Sequence, residues 1–278
     1  MKDIFDTLSH DMSMMTTKKY STSFSLGISF LSKDLHKPIY AIYGFVRFAD
    51  EIVDSFHGFD KDSLLADFRK QTFEALDKGV SLNPILNSFQ WAVKKFNIDY
   101  QLIDTFLKSM EMDLDKKAYD ESKYKEYILG SAEVVGLMCL KIFVRGEEEL
   151  YQQLAESAMK LGSAFQKINF LRDLKADYHE LGRTYFPGID LKKFNDTVKK
   201  EIEKDIEQDF LAGYEGIKKL PKDARFGVYM AYVYYFKLFK KIKNTGSEVI
   251  LNKRIRIPNN KKYSLFVFSY LRHNLNMI

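Results

Sequence analysis

The sequence predicts an all-α fold, and three observations carry that prediction. Helix-favouring Leu, Lys, Glu and Ala are plentiful, whereas only five prolines and fourteen glycines occur in 278 residues. Apolar residues recur at helical spacing from about residue 38 almost to residue 243, and no segment shows sustained alternation. No linker, low-complexity stretch or block of charge divides the chain, so residues 1–278 are expected to form one domain.

Taken in order, the first fifteen residues carry Asp3, Asp6 and Asp11 without an apolar core, which is not the pattern of a signal peptide. Residues 38–54 form the first strongly periodic segment, with Pro38 expected at the first helical position, where its missing N–H costs nothing. Turns are expected at Phe56-His57-Gly58, at Asn83-Pro84 and at Val144-Arg145-Gly146. Further turns are expected between Gly182 and Gly188, at Leu220-Pro221 and at Thr245-Gly246-Ser247. The spacing between them suits helices throughout. Only residues 249–257 read as extended.

Composition excludes several classes of function. A single cysteine, Cys139, cannot make an internal disulfide or a multi-cysteine zinc site. The five histidines are scattered, and Asp54-x-x-His57 lacks the paired Glu-x-x-His motifs of a di-iron bundle. A net charge of +5 suits anionic substrates or an anionic membrane surface but is too small to imply nucleic acid. The basic runs at 237–243 and 253–262 read as solvated surface, with peripheral contact to an anionic membrane as a further use. The longest apolar run, residues 226–236, is too short to span a bilayer, and a cytoplasmic location is expected. The 23 Phe and 17 Tyr serve either core packing or a long apolar cavity whose aromatic faces stabilise a cation.

Two polar stripes carry the chemistry. In the first segment Ile39, Ile42, Val46, Ala49 and Val53 step along one helix face. Beside them Tyr43, Arg47, Asp50 and Asp54 step at the same spacing, so the two aspartates lie one turn apart. In residues 161–177 the apolar stripe is Leu161, Phe165, Ile168 and Leu171, and the neighbouring polar one is Gly162, Gln166, Asn169, Asp173 and Asp177. Like charges four residues apart cost a helix about 0.2–0.5 kcal/mol even in water, and more beside apolar surface. A hard divalent cation removes that cost. All-oxygen ligands without convergent His or Cys select magnesium, with manganese as the alternative, over zinc. One such pair is usually a solvated face; two, each in register with uncharged polar residues, point to opposed metal-binding faces.

These motifs resemble the squalene/phytoene synthase family over residues 18–263. Tyr43-x3-Arg47-x2-Asp50-x3-Asp54 is similar to its first aspartate-rich motif, although Glu51 stands where many members have a second Asp. Gln166-x2-Asn169-x2-Arg172-Asp173-x3-Asp177, followed by Arg183-Thr184-Tyr185-Phe186-Pro187, resembles its second. Ser21, Ser23 and Phe24 sit where the family has N-terminal substrate contacts. Tyr127 to Gly136 resembles a segment that bends a helix over the pocket, with Glu133 departing from the usual Ala-Gly-Ser/Thr-Val-Gly. Asp113 resembles a family acidic position. Tyr235 and either Lys253 or Arg254 resemble residues near the diphosphate.

The resemblance implies an isoprenoid-synthase-like helical bundle around a large central cavity. It implies Asp50, Asp54, Asp173 and Asp177, with Asn169, as metal ligands. It implies Ser21, Ser23, Phe24, Tyr43, Arg47, Gln166, Arg172, Tyr185 and Arg254 as contacts to prenyl diphosphates, and Tyr127 and Tyr235 as residues on the cation path. The reaction implied is head-to-head condensation of two prenyl diphosphates through a cyclopropylcarbinyl diphosphate, in the manner of carotenoid biosynthesis. Two geranylgeranyl diphosphates giving phytoene are favoured, with dehydrosqualene or squalene from farnesyl diphosphate next. NADPH, which squalene formation needs, is not an expected cofactor for the favoured product, and an apolar C-terminal anchor of the eukaryotic squalene enzymes is not expected either. A non-catalytic assembly protein on the same fold would be expected to lose metal ligands, yet both motifs are intact.

Overall fold

The computed structural model describes residues 1–114, 119–179, 186–187 and 194–257, with the backbone alone for 176–179. Twelve α-helices and one π-turn, and no strand, are found among the described residues. They are α1 (Lys2–Tyr20), α2 (Thr22–Ser29), α3 (Lys33–Ser55), α4 (Lys61–Lys78), α5 (Pro84–Phe96) and α6 (Tyr100–Met112). There follow α7 (Glu121–Ile128), the π-turn (Leu129–Glu133), α8 (Val134–Phe143), α9 (Glu148–His179), α10 (Asp196–Lys219), α11 (Lys222–Lys243) and α12 (Ser247–Asn252).

Local chemistry sets most boundaries. Asp60, Asn83, Asp99, Asp120 and Asn195 cap helix starts by accepting backbone N–H bonds. Asn83 is followed by Pro84, which needs no partner for a missing N–H. At the other ends Gly79 and Asn97 adopt the left-handed conformation that stops a helix. The turns expected at residues 56–58, 83–84, 144–146, 220–221 and 245–247 fall between helices or run into the first residue of the next, whereas most of 182–188 lies outside the described residues.

Three expectations need correction. Helix α3 begins at Lys33, so Pro38 sits inside it rather than at its first position. The earlier start is anchored by Leu35, which is wholly buried and donates to the Ser32 carbonyl, and by a His36–Leu31 carbonyl bond of 2.9 Å. Residues 249–252, read as extended, complete α12 instead, because Val249 and Ile250 donate to the Gly246 carbonyl and Ile250 is fully buried. The chain becomes extended only at Lys253. Two helices also precede residue 38. Helix α1 escaped the periodicity because the face it buries is Ser9, Ser13 and Thr17, not an apolar stripe. Ser13 bonds Ser88 at 2.5 Å, so small hydroxyls let α1 lie close to α5 and α3.

Helices α3, α8 and α9, with α2, α10 and α11, surround the centre of the molecule. Helix α9 packs along α10 on one side and along the π-turn and α8 on the other. Close approach is made possible where a side chain would collide with backbone. A Cβ at Gly162 would meet the Ala132 carbonyl oxygen at 2.6 Å, and one at Gly136 would meet that of Ala158 at 2.7 Å.

Candidate active site

A cavity of about 380 Å³ runs between these helices. Its polar mouth is set by the end of α3 at Asp50, by Gln166 and Asn169 on α9, and by Tyr235 on α11. From there it descends between apolar walls, reaching Leu154 along α9, which is fifteen residues and about 22 Å of helix rise below Asn169. Phe24, Tyr43, Phe165 and Tyr235 line its upper part, with Phe24 5.7 Å from Tyr43 and 5.9 Å from Tyr235, and Phe165 stacked on Tyr235 at 4.1 Å. Much of the aromatic excess serves packing instead, as in the Phe45–Phe89 stack at 3.8 Å.

Three residues of the first motif reach the cavity, whereas Asp54, half-buried one turn further along α3, does not line it. Tyr43, Arg47 and Asp50 line the cavity from one face of α3. The Arg47 guanidinium donates to Asp50 at 2.5 Å and to Glu51, and it stacks over the Tyr20 ring at 4.3 Å. Glu51 is thus spent on Arg47, which fits a residue off the aspartate face. Enclosure by the walls of the mouth, then the charge of Asp54, raises the Asp50 carboxyl to about 7, with Asp113 and Glu51 adding to the rise and Arg47 opposing it. Asp50 keeps 35% of its side-chain surface open to the mouth, where water moderates that rise. Arg47 offsets only part of this negative charge. That is the condition a divalent cation relieves.

The second motif stands on the facing helix. Gln166 and Asn169 line the cavity, with Asn169 donating to Gln166 at 3.4 Å. Asp173, one turn further, accepts from Arg172 at 3.0 and 2.5 Å. Arg254 lies 2.6 Å from the same carboxylate, so Arg254, not the exposed Lys253, reaches this motif. Burial disfavours the Arg172 charge, but the hydrogen bond and charge of Asp173 outweigh it and raise its pKa. The Asp177 side chain, Arg183 and Tyr185 lie outside the described residues. Among the described residues no three His, Cys, Asp or Glu side chains converge to hold a metal by themselves. Magnesium needs only one or two carboxylates when substrate phosphates supply the rest, and the donor set fits that use.

Other predicted residues fall around this mouth. Ser21 caps α2 by accepting from the Phe24 N–H at 3.1 Å, and it hydrogen-bonds Tyr43. Ser23 is half-buried on the same helix and does not line the cavity. Burial pushes the Tyr235 phenol up to about 12, and its hydroxyl is 3.5 Å from the Asn169 oxygen. Tyr127, also on the wall, donates to buried Asp113 at 2.7 Å, which links Asp113 to the electrostatics of Asp50. Glu133 accepts from Ser163 and does not line the cavity. The π-turn instead presents Ser131, whose hydroxyl is buried at the wall without a partner among the described residues. Nothing in the sequence spacing singled out Ser131, because a π-turn shifts the helical register by one residue.

A helical bundle with an apolar interior and two acid-and-arginine faces at its mouth defines a class of enzyme that handles long apolar chains with anionic heads. The family model for squalene/phytoene synthase matches residues 17–261, and the chain belongs to that family. It is a prenyltransferase of that type; the family's members bind prenyl diphosphates and use divalent metal ions. A phytoene synthase of Arthrospira platensis is 26% identical over 95% of this chain and 93% of its own. A 4,4'-diapophytoene synthase of Staphylococcus haemolyticus is 29% identical over 68% of this chain and 65% of its own. The crystal structure of a dehydrosqualene synthase in complex with ligand superposes with a TM-score of 0.81 at 23% identity, covering 96% of this chain and 98% of that one. No described helix is long and apolar enough to cross a membrane.

Proposed function

We propose that the chain joins two geranylgeranyl diphosphates head to head, through a cyclopropylcarbinyl diphosphate, to give phytoene. The observation that carries this reading is the joining of one charged mouth to one deep apolar cavity. In this reading Asp50, Asp54, Asn169, Asp173 and Asp177 would hold magnesium, which would supply positive charge to the diphosphate leaving groups. Arg47, Arg172 and Arg254 contribute fixed positive charge in a geometry suited to phosphate. Gln166 adds a polar group at the mouth, and the family resemblance extends the diphosphate contacts to Ser21, Ser23 and Tyr185. Phe24, Tyr43, Tyr127 and Tyr235 face the allylic cation and exclude water from it. The second substrate's double bond attacks that cation, and loss of a proton closes the cyclopropane; a second ionisation releases the other diphosphate, and rearrangement and loss of a second proton complete the reaction.

A second reading, with farnesyl diphosphate as substrate, is favoured by the names of the diapophytoene and dehydrosqualene synthases that resemble the chain. Feeding each diphosphate with magnesium, with and without NADPH, and identifying the hydrocarbon by chromatography and mass separates the two. Phytoene from the C20 substrate, independent of NADPH, is expected. Failure to release pyrophosphate from either substrate would refute both readings.

A further inference from the structure

The apolar end of the cavity is closed where the ends of α2, α8 and α10 meet the starts of α3, α9 and α11. Leu31, Phe143, Leu154 and Leu220 line this floor. Behind them Val144 and Tyr151 are buried in one small cluster with Leu154 and Leu220. Outside that layer sits Arg145. Its guanidinium donates to Asp34 in the first turn of α3 at 2.5 Å, and to Asp223 in the first turn of α11 through two nitrogens, one at 3.1 Å. A backbone bond of 2.9 Å from Ser32 N–H to the Asp223 carbonyl ties the same two helix starts.

Each member of this ion cluster is a near neighbour of a floor residue in sequence. Asp34 follows Leu31, Asp223 follows Leu220 and Arg145 follows Phe143 by two or three positions. The Arg145 backbone is left-handed, with φ of 55°, a conformation that a non-glycine residue keeps only where its surroundings dictate it. Here it aims one side chain at two carboxylates from separate helices. An exposed ion pair contributes little to global stability, and Arg145 and Asp34 are both about half exposed, at 49% and 51%. What such a cluster can set is the relative placement of the segments it joins.

We propose that the Arg145–Asp34–Asp223 clamp holds the floor of the cavity and thereby limits the length of prenyl chain it accepts. Arg145 is a positioning residue that touches no substrate, and the inference rests on the reading that prenyl tails occupy this cavity. The test compares wild type, Arg145→Ala and Asp34→Asn with geranylgeranyl diphosphate and its C25 homologue, measuring kcat and KM for each and thermal unfolding alongside. Loosening the floor should lower KM for the longer chain and raise its kcat/KM relative to the shorter by about threefold or more. The kcat for the shorter chain should change little. A purely structural role would lower both substrates in proportion, and an unchanged ratio in folded variants overturns the proposal. If Arg145→Ala does not fold, Asp34→Asn, which keeps the Asp223 arm, decides the matter. Wild type inactive on both substrates overturns the functional reading itself, a result distinct from an active wild type with unshifted variants.

Discussion

At the scale of single residues, Asp50 carries the sharpest expectations. Asp50→Asn and Asp173→Asn should each lower turnover by roughly two to three orders of magnitude, since both remove charge that acts on the departing diphosphate. Circular dichroism should show the fold retained, and wild-type rates in either variant would sink the metal assignment. Burial and then Asp54 raise Asp50 to about 7, against about 3.9 for an aspartate in an unfolded chain. The folded state therefore holds a proton across this window that the unfolded chain has released. Metal-free protein should lose stability as pH rises from about 4 through 7. Denaturant titrations at several pH values should show that fall reduced in Asp50→Asn, and reduced again in wild type on adding magnesium. A fall of equal size in the variant would mean that another group is responsible.

Single elements depend on how closely helices approach. Replacing glycine by alanine inside a helix normally stabilises it by about 0.8–1.0 kcal/mol. At Gly162 the new Cβ would stand 2.6 Å from the Ala132 oxygen and 3.1 Å from its carbon, so α9 would have to move off the π-turn. Overpacking of that kind costs about 1–3 kcal/mol, and the net effect of Gly162→Ala should be destabilising in urea titrations. Gly246→Ala, with nothing within 4 Å of the new atom and φ of −60°, is the control and should stay within about 0.5 kcal/mol of wild type. The faces that carry Asp50 and Asp173 were legible because a spacing of three and four is a property of one helix. Helix α1 was not, since Ser9, Ser13 and Thr17 bury hydroxyls that no apolar pattern reports. Nor was the start of α3, where tertiary burial of Leu35 outweighed the local signal of Pro38.

Across the whole molecule, the basic end of α11 is the surface on which a membrane role can be tested. Lys240 and Lys241 are exposed; Lys240 lies over the Phe236 ring at 4.7 Å and Lys241 donates to the Arg256 carbonyl at 2.7 Å. Removing both should weaken sedimentation with anionic vesicles, by about 1 kcal/mol per lysine near the surface. Binding unchanged by the double substitution would dismiss this patch as a membrane contact.

The sequence by itself determined the helical class, most turns and the helix faces on which Asp50 and Asp173 lie, because helical period, capping and turn chemistry act over a few residues. Tertiary structure decided what those faces enclose. It placed Arg254 rather than Lys253 beside Asp173, turned Glu133 to Ser163 and joined Tyr127 to Asp113. It raised Asp50 chiefly by burying it, with Asp54 and then Asp113, more than fifty residues away in the chain, adding to the rise. It also closed the cavity floor with Leu31, Phe143, Leu154 and Leu220. Each of these results from contact between segments far apart in sequence, for which no local spacing carries a signal.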